Sequence, residues 1–259
     1  MAAERPRLDK ALVERGLVAS RERAQALILA GRVLVDEQKV SKPGAAIAEG
    51  AALRLLGEEM RYVSRGGLKL ESALAHWGIE LAGRACLDVG ASTGGFTDCM
   101  LQHGAATVLA VDTGYGQIAQ KLRSDPRVSL MERTNARLLL PGNDAEKGLP
   151  EGITFIAMDV AFISATLVLP PVIACMKFYG AGHSSWAGEC VVLIKPQFEA
   201  GRENVGKGGI VRDPAAHQLA IDRVTECVRS LGGEGIEIID SPITGMEGNK
   251  EFLLHAVWR

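Results

Sequence analysis

Cysteine is sparse and scattered in this 259-residue chain: Cys86, Cys99, Cys175, Cys190 and Cys227 are odd in number, lie far apart and form no Cys-x-x-Cys pair. Neither a structural zinc site nor a disulfide framework is indicated, and no metal is expected. No apolar run approaches the roughly 20 residues that cross a bilayer, and the first residues lack an apolar signal core. The expectation is a soluble, cytoplasmic protein that does not engage a membrane. There is no long low-complexity tract either, and a hydrophobic content of 47% allows one large core, or one large and one small. The formal net charge of −2 conceals an asymmetry: residues 1–69 hold 13 Lys/Arg against 9 Asp/Glu, and the remainder 16 against 22. Basic character is concentrated at the front.

What is present is organised around Cys86-Leu-Asp-Val-Gly-Ala-Ser-Thr-Gly-Gly-Phe96, where an apolar run breaks into glycines and resumes at helical spacing with Met100 and Leu101. That pattern reads as strand, tight turn and helix start, which brings backbone N–H groups and a helix N-terminus to the mouth of a parallel sheet. A dinucleotide turn wants glycine at the second position of G-x-G-x-x-G, but here Ser92 stands there. The pattern Asp88-x-Gly90-x-Ser92-x-Gly94-Gly95 suits a ligand carrying an ammonium and a carboxylate, as S-adenosylmethionine does. Val108-Leu-Ala-Val-Asp112 reads as a second strand, ending in an acid at the separation expected for accepting from ribose hydroxyls. The plainer alternative is that the glycines only close a βα unit and Asp112 only caps the next segment.

Residues 1–60 read as a separate small module. Leu8, Leu12 and Leu17 suggest a short helix closed by Gly16, and Ser20 caps a second helix with Ala24, Leu27 and Ile28 on one face. Arg21 and Arg23 fall in that helix's first turn, where cations oppose the dipole, and an external anion would resolve the conflict. With Arg7, Lys10 and Arg32 nearby, the surface suits a phosphate backbone. The segments Leu8-Asp-Lys-Ala-Leu-Val, Ser20-Arg-Glu-Arg-Ala and Ala30-Gly-Arg-Val-Leu-Val-Asp36 resemble the alpha-L RNA-binding motif named for ribosomal protein S-four. The resemblance implies RNA and leaves the chemistry open.

Residues 61–64 are read as a linker and 65–259 as the larger domain. Arg65-Gly-Gly-Leu-Lys69 opens a helix marked by Leu70, Ala73, Leu74 and Trp77. Val128–Met131 is expected as a third strand, with Asn135 beyond its end where an adenine pocket often lies. Ile153–Asp159 is expected as a fourth, ending in a carboxylate, and Cys190–Lys195 as a fifth, apolar until its terminal lysine. Loops are expected at Pro141–Gly152 and Gly180–Gly188. After a loop holding Arg202, Lys207 and Arg212, Asp213-Pro214 opens a long helix by cap and first-turn proline. Ile236–Asp240 and Phe252–Val257 close the sheet. In such an α/β fold, ligands sit beyond the carboxyl ends of the strands. Asp88, Asp112, Asp159 and Lys195 should therefore converge on one crevice, with Lys69 and Glu251 on segments able to reach it. Each alone could be a surface charge or a cap.

Tyr62-Val-Ser-Arg-Gly-Gly-Leu-Lys69, Asp88-Val-Gly-Ala-Ser-Thr-Gly-Gly-Phe96, Lys195-Pro-Gln-Phe-Glu-Ala-Gly201, Val205-Gly-Lys-Gly-Gly209 and Gly248-Asn-Lys-Glu-Phe252 resemble the hemolysin A, or TlyA, family over nearly the whole chain. Ala161 stands where a serine is usual. The resemblance implies a Rossmann-like class I methyltransferase domain, with a seven-stranded, mostly parallel sheet, behind a small α+β RNA-binding domain. It implies 2′-O-methylation of cytidine in ribosomal RNA, with ribosomal subunits as partners and S-adenosylmethionine as cofactor. Lys69, Asp159, Lys195 and Glu251 would be the Lys-Asp-Lys-Glu tetrad of ribose methyltransferases related to the heat-shock rRNA methyltransferase. Asp88, Gly90, Ser92, Gly94, Gly95, Phe96, Asp112, Asn135 and Asp159 would line the cofactor. Arg7, Lys10, Arg21, Arg23, Arg32, Arg65, Arg202, Lys207 and Arg212 would meet RNA.

These residue types fit the chemistry. Methyl transfer from a sulfonium to an oxygen is an in-line displacement that needs an aligned hydroxyl and a destination for its proton. Lys195 could take that proton as a base, or stay charged and stabilise the developing alkoxide, and the residue types leave both open. An amine methyltransferase would carry Asn/Asp-Pro-Pro-Tyr/Phe where this chain has Asp159-Val-Ala-Phe, and a cytosine-carbon methyltransferase needs a Pro-Cys nucleophile that is absent. Two readings from other classes remain: a membrane-lysing hemolysin, as the family's historical name suggests, and a non-catalytic ribosome-binding factor.

Overall fold

The computed structural model describes residues 6–56, 61–140, 152–179, 185–245 and 247–259. Of the loop expected at Pro141–Gly152 only Gly152 is among them; of the one expected at Gly180–Gly188, residues 185–188 are, with Trp186 buried in the core and Gly188 already in a strand. The chain forms two compact units, Met1–Met60 and Arg61–Arg259.

In the first unit, helices α1 (Leu8–Glu14) and α2 (Arg21–Leu29) precede three short antiparallel strands, β1 (Val33–Val35), β2 (Gln38–Lys39) and β3 (Leu53–Leu55), in the order β2-β1-β3. The Ser20 hydroxyl accepts from the Arg23 N–H at 3.2 Å, the expected cap. Leu8, Leu12, Ala24 and Ile28 are fully buried, and each large aliphatic among them contributes about 1.5–3 kcal/mol by leaving water. Asp36 and Glu37 turn β1 into β2 with φ of 48° and 64°. A two-residue hairpin needs both central residues in that left-handed region, and Asp36 compensates by accepting from the Ala52 N–H at 2.8 Å.

The second unit is a seven-stranded sheet in the order β6-β5-β4-β7-β8-β10-β9. Its strands are β4 (Ala85–Val89), β5 (Thr107–Val111), β6 (Val128–Met131), β7 (Ile153–Met158), β8 (Gly188–Ile194), β9 (Glu234–Asp240) and β10 (Phe252–Trp258). The five from β6 to β8 pair in parallel, while β10 runs antiparallel to both neighbours. Helices α3 (Gly66–Trp77), α4 (Gly95–Gln102) and the short α5 (Gln120–Arg123) cover one face, and α6 (Ala165–Tyr179) and α8 (Pro214–Ser230) the other; the short α7 (Pro196–Glu199) follows β8. Asp213 caps α8 by accepting from the Ala215 N–H at 2.9 Å.

Side-chain alternation along the strands sorts the core between these faces. Cys86, Val108, Ala110, Phe155, Ala157, Val191, Leu193 and Leu253 pack under α3 and α4, whereas Leu87, Val89, Ile156, Met158, Val192, Ile194 and Leu254 pack under α6 and α8. Continued by one step, the first series reaches Asp112, Asp159, Lys195 and Glu251, and Asp88 already lies within it. The period of two therefore aims all five toward the α3 face, and α3 is the helix that carries Lys69.

Candidate active site

The glycine turn after β4 is built as its sequence demands. Gly90 has a φ of 88°, Ser92 of 49° and Gly94 of 94°, and only the serine bears a side chain in that strained region. A β-carbon on Gly95, the first residue of α4, would strike the Ser64 hydroxyl and come within 3.0 Å of the Gly67 nitrogen, so α3 and α4 meet backbone to backbone. Asp112 receives the turn: its carboxylate accepts from the Ser92 N–H at 2.7 Å and the Gly114 N–H at 2.6 Å. Asn135 caps the short 3₁₀ turn Ala136–Leu138 by accepting from the Arg137 N–H, and the neighbouring Thr134 N–H reaches the Asp112 carbonyl. Phe96 was expected at the mouth of the turn. It is the second residue of α4 and is buried, packed with the α3 and α4 side chains of the core.

Asp88 is fully buried. One carboxylate oxygen accepts from the Thr97 hydroxyl at 2.6 Å, and the other, Oδ1, has no partner among the described residues. Burial pushes its carboxyl up to about 7; the Thr97 hydrogen bond opposes this, and the charges of Asp159 and Asp112 add to it. A buried oxygen with no donor fits a cation-bearing group at the adjacent turn.

Beyond the strand ends lie two ion pairs. Lys195 Nζ stands 2.5 Å from Asp159 Oδ1, with side chains 13% and 21% exposed. Lys69 Nζ stands 2.5 Å from Glu251 Oε2, with side chains 10% and 2% exposed. Register explains why four residues so distant in sequence meet: Ile194 and Phe252 are paired across β8 and β10, so Lys195 and Glu251 adjoin at one edge. The Asp159 N–H donates to the Val89 carbonyl at 2.9 Å, which sets Asp159 beside the glycine turn.

Two supporting residues escape sequence reading. Glu199, 4% exposed, accepts from the Ser164 hydroxyl at 2.5 Å and the Ala165 N–H at 2.6 Å, tying the segment after Lys195 to the segment after Asp159. Burial holds its carboxyl above the usual range. Asn249, 1% exposed, accepts from the Val211 N–H at 2.9 Å and donates to the Gly209 carbonyl at 2.8 Å, joining the 205–212 loop to the turn before Glu251. Both stand inside short motifs, but nothing in their residue type separates them from solvent-facing neighbours.

Of the basic residues expected to meet RNA, Arg65, Arg202, Lys207 and Arg212 are exposed in the second unit, and Lys10 is exposed in the first. Arg32 donates to the Leu56 carbonyl, and Arg23 is half-buried. Arg21 at the start of α2 has an anion within its own unit: its guanidinium pairs at 2.9 Å with Asp9, a buried carboxylate of α1, which also binds Arg7. Among the described residues no cluster could hold a metal ion, and no helix is long and apolar enough to cross a membrane.

The strand order with its antiparallel β10, the glycine turn after β4 and the acid after β5 define a Rossmann-like class I methyltransferase domain. Residues 62–258 match the FtsJ-like methyltransferase model, and residues 6–53 match the S4 domain. The chain belongs to the FtsJ-like methyltransferase family, in the branch that carries the TlyA and hemolysin A names. YqxC of Bacillus subtilis, provisionally named an rRNA methyltransferase, is 48% identical over all of this chain and 88% of its own length. The 16S/23S rRNA (cytidine-2′-O)-methyltransferase TlyA of Mycobacterium tuberculosis is 42% identical over 97% of this chain and 90% of its own. A solved structure from Streptococcus thermophilus, provisionally named a hemolysin, superposes with a TM-score of 0.69 at 42% identity, covering 99% of this chain and 90% of that one.

Proposed function

We propose that this protein methylates the 2′-hydroxyl of a ribose in ribosomal RNA, on a cytidine, with ribosomal subunits as the substrate and the cytoplasm as the place of action. The observation that carries this reading is the pair of lysine–carboxylate bridges at the strand ends beside the glycine turn. Two cations held by two carboxylates suit an acceptor that must be oriented and relieved of a proton, and the mycobacterial relative's name specifies that acceptor.

S-adenosylmethionine supplies the methyl group on a sulfonium. In this reading the turn from Gly90 to Gly95 holds it, with Asp88 Oδ1 toward its ammonium and Asp112 on its ribose hydroxyls, and Asn135 and Asp159 at the rim. Lys195, steadied by Asp159, meets the acceptor hydroxyl and takes its proton or balances the alkoxide as the proton leaves. Lys69, steadied by Glu251, fixes the acceptor's position. Residues 1–60 hold the RNA and 61–259 carry out the transfer, the expected linker 61–64 belonging to the second unit because Tyr62 is buried in its core and the Val63 N–H donates to Asp98; Arg65, Arg202, Lys207 and Arg212 guide the strand in.

The test is mass mapping of 2′-O-methylated nucleotides in ribosomal RNA from cells with and without the gene. A cytidine mark that disappears with the gene and returns with the wild-type protein, but not with Lys195→Ala, is expected. An unchanged methylation map would overturn the proposal.

A further inference from the structure

The first unit contains a charged group that its stability does not explain. Asp9 is 0% exposed, in a core built from only two short helices and three short strands. Its carboxylate accepts from Arg7 Nε at 3.0 Å, Arg7 Nη2 at 2.9 Å, Arg21 Nε at 2.9 Å and Gln25 Nε2 at 3.0 Å. Those donors, Arg7 foremost, hold the carboxyl well below the usual carboxylate range. Burying an ion in so small a core is costly, and an apolar residue of similar volume commonly serves stability as well or better.

The two arginines are oriented differently from their anchor. Their side chains are 46% and 48% exposed. Arg7 binds Asp9 through its Nε edge and Arg21 through Nε alone, so Arg7 Nη1 and both Nη atoms of Arg21 have no partner among the described residues. Arg7 is fixed from a further side: its guanidinium lies over Gly44, where a β-carbon would come within 3.2–3.3 Å of Nη1, Cζ and Nη2. Two like charges sit together because one buried anion lies between them, and the group keeps an excess positive charge facing water. Guanidinium groups with their rotamers already fixed lose little freedom on meeting an anion, and their free N–H forks match the oxygens of a phosphodiester.

We infer that Asp9 is a positioning residue for RNA: it fixes Arg7 and Arg21 as a braced two-guanidinium fork that grips a phosphodiester of the RNA backbone. The inference rests on the RNA-holding role proposed above for residues 1–60. It makes a prediction of opposite sign to simple charge counting. Replacing Asp9 by asparagine removes a negative charge beside the phosphate, which by Coulomb attraction alone would tighten binding. If Asp9 acts by bracing, Asp9→Asn weakens binding instead, because the two guanidiniums repel and disperse.

The experiment titrates full-length protein with ribosomal subunits purified from cells lacking the gene, over a series of salt concentrations. Asp9→Asn should lose about tenfold or more in affinity, with S-adenosylmethionine affinity unchanged and amide-exchange protection of α1 and α2 retained. Gly44→Ala tests the same fork with Asp9 intact. Its methyl group presses on the Arg7 guanidinium, which must yield by a few tenths of an ångström, and affinity should fall measurably while the number of charges, and hence most of the salt dependence, is kept. Wild-type or tighter binding by a folded Asp9→Asn protein would overturn the bracing role. If that variant loses α1 and α2, Gly44→Ala decides alone, and unchanged binding there overturns it equally. Failure of the wild-type protein to bind subunits would instead remove the RNA-holding role on which the inference rests.

Discussion

The carbonyl oxygen of Asp159 lies where a side chain on Gly90 would have to go, 2.5 Å from the position of a β-carbon there. The glycine turn and Asp159 are thus in backbone contact, and Gly90 also has a φ of 88° that other residues adopt only under strain. Gly90→Ala should cost about 1–3 kcal/mol from the backbone conformation alone, and more from the clash. Urea unfolding with calorimetric titration of S-adenosylmethionine checks this. Native stability together with native cofactor affinity would show that the contact is not as tight as described.

Lys195 follows the apolar C-terminal half of β8 and pairs with Asp159. Lys195→Ala should lower single-turnover methyl transfer by at least about 10²-fold while leaving cofactor and RNA affinities nearly unchanged. Lys195→Arg separates the two roles considered for this residue. Arginine does not give up its proton near neutral pH, so wild-type transfer by that variant would exclude the base and leave charge stabilisation.

The two bridges should differ in their contribution to stability. Glu251 and Lys69 are 2% and 10% exposed, against 21% and 13% for Asp159 and Lys195. Removing one partner of a buried pair strands the other charge and costs about 3–5 kcal/mol. Lys69→Ala should approach that loss, whereas Lys195→Ala should lose less, because water reaches the stranded Asp159, 21% exposed, more easily than the stranded Glu251, 2% exposed. Denaturant midpoints of the two variants test the order, and a reversed order would mean that exposure does not govern the cost.

Asp88 gives a pH dependence whose sign is set by its burial. Its carboxyl is pushed up to about 7 in the folded chain, against about 3.9 when unfolded. Between those values the folded state holds a proton that the unfolded state has lost. The stabilisation is therefore complete below pH about 4 and is lost as pH rises toward about 7. Asp88→Asn keeps an acceptor for the Thr97 hydroxyl and removes the titration. Without cofactor, the melting temperature of the wild type should fall relative to this variant across that window. A constant difference between the two would show that Asp88 does not titrate there.

Much of the catalytic unit was legible because strand ends mark themselves. Asp112, Asp159 and Lys195 each interrupt an apolar run, and Ser20 and Asp213 announce helices by caps that the structure contains. Interactions between elements were not legible. The partner of Arg21 within the unit was not legible because Asp9, 12 residues earlier on another helix, gives no sign in sequence of facing it. α6 was hidden by Pro170 and Pro171, which lie inside it and ordinarily argue against a helix. Glu199 and Asn249 read as ordinary polar residues until the loops they join are seen together.

The reversed direction of β10 has a consequence for how the protein is made. Because that strand runs against its neighbours, its beginning lies at the crevice, and Glu251 is the last of the four ion-paired residues to leave the ribosome. A nascent chain that has emerged through Lys195 already carries the glycine turn and the Lys195–Asp159 pair. It still has Lys69 without its carboxylate and β8 with an unpaired edge. Translation that stops a few codons before Glu251 therefore yields a chain able to contain the cofactor turn but not the finished crevice, and a late nonsense mutation should abolish methylation as fully as an early one.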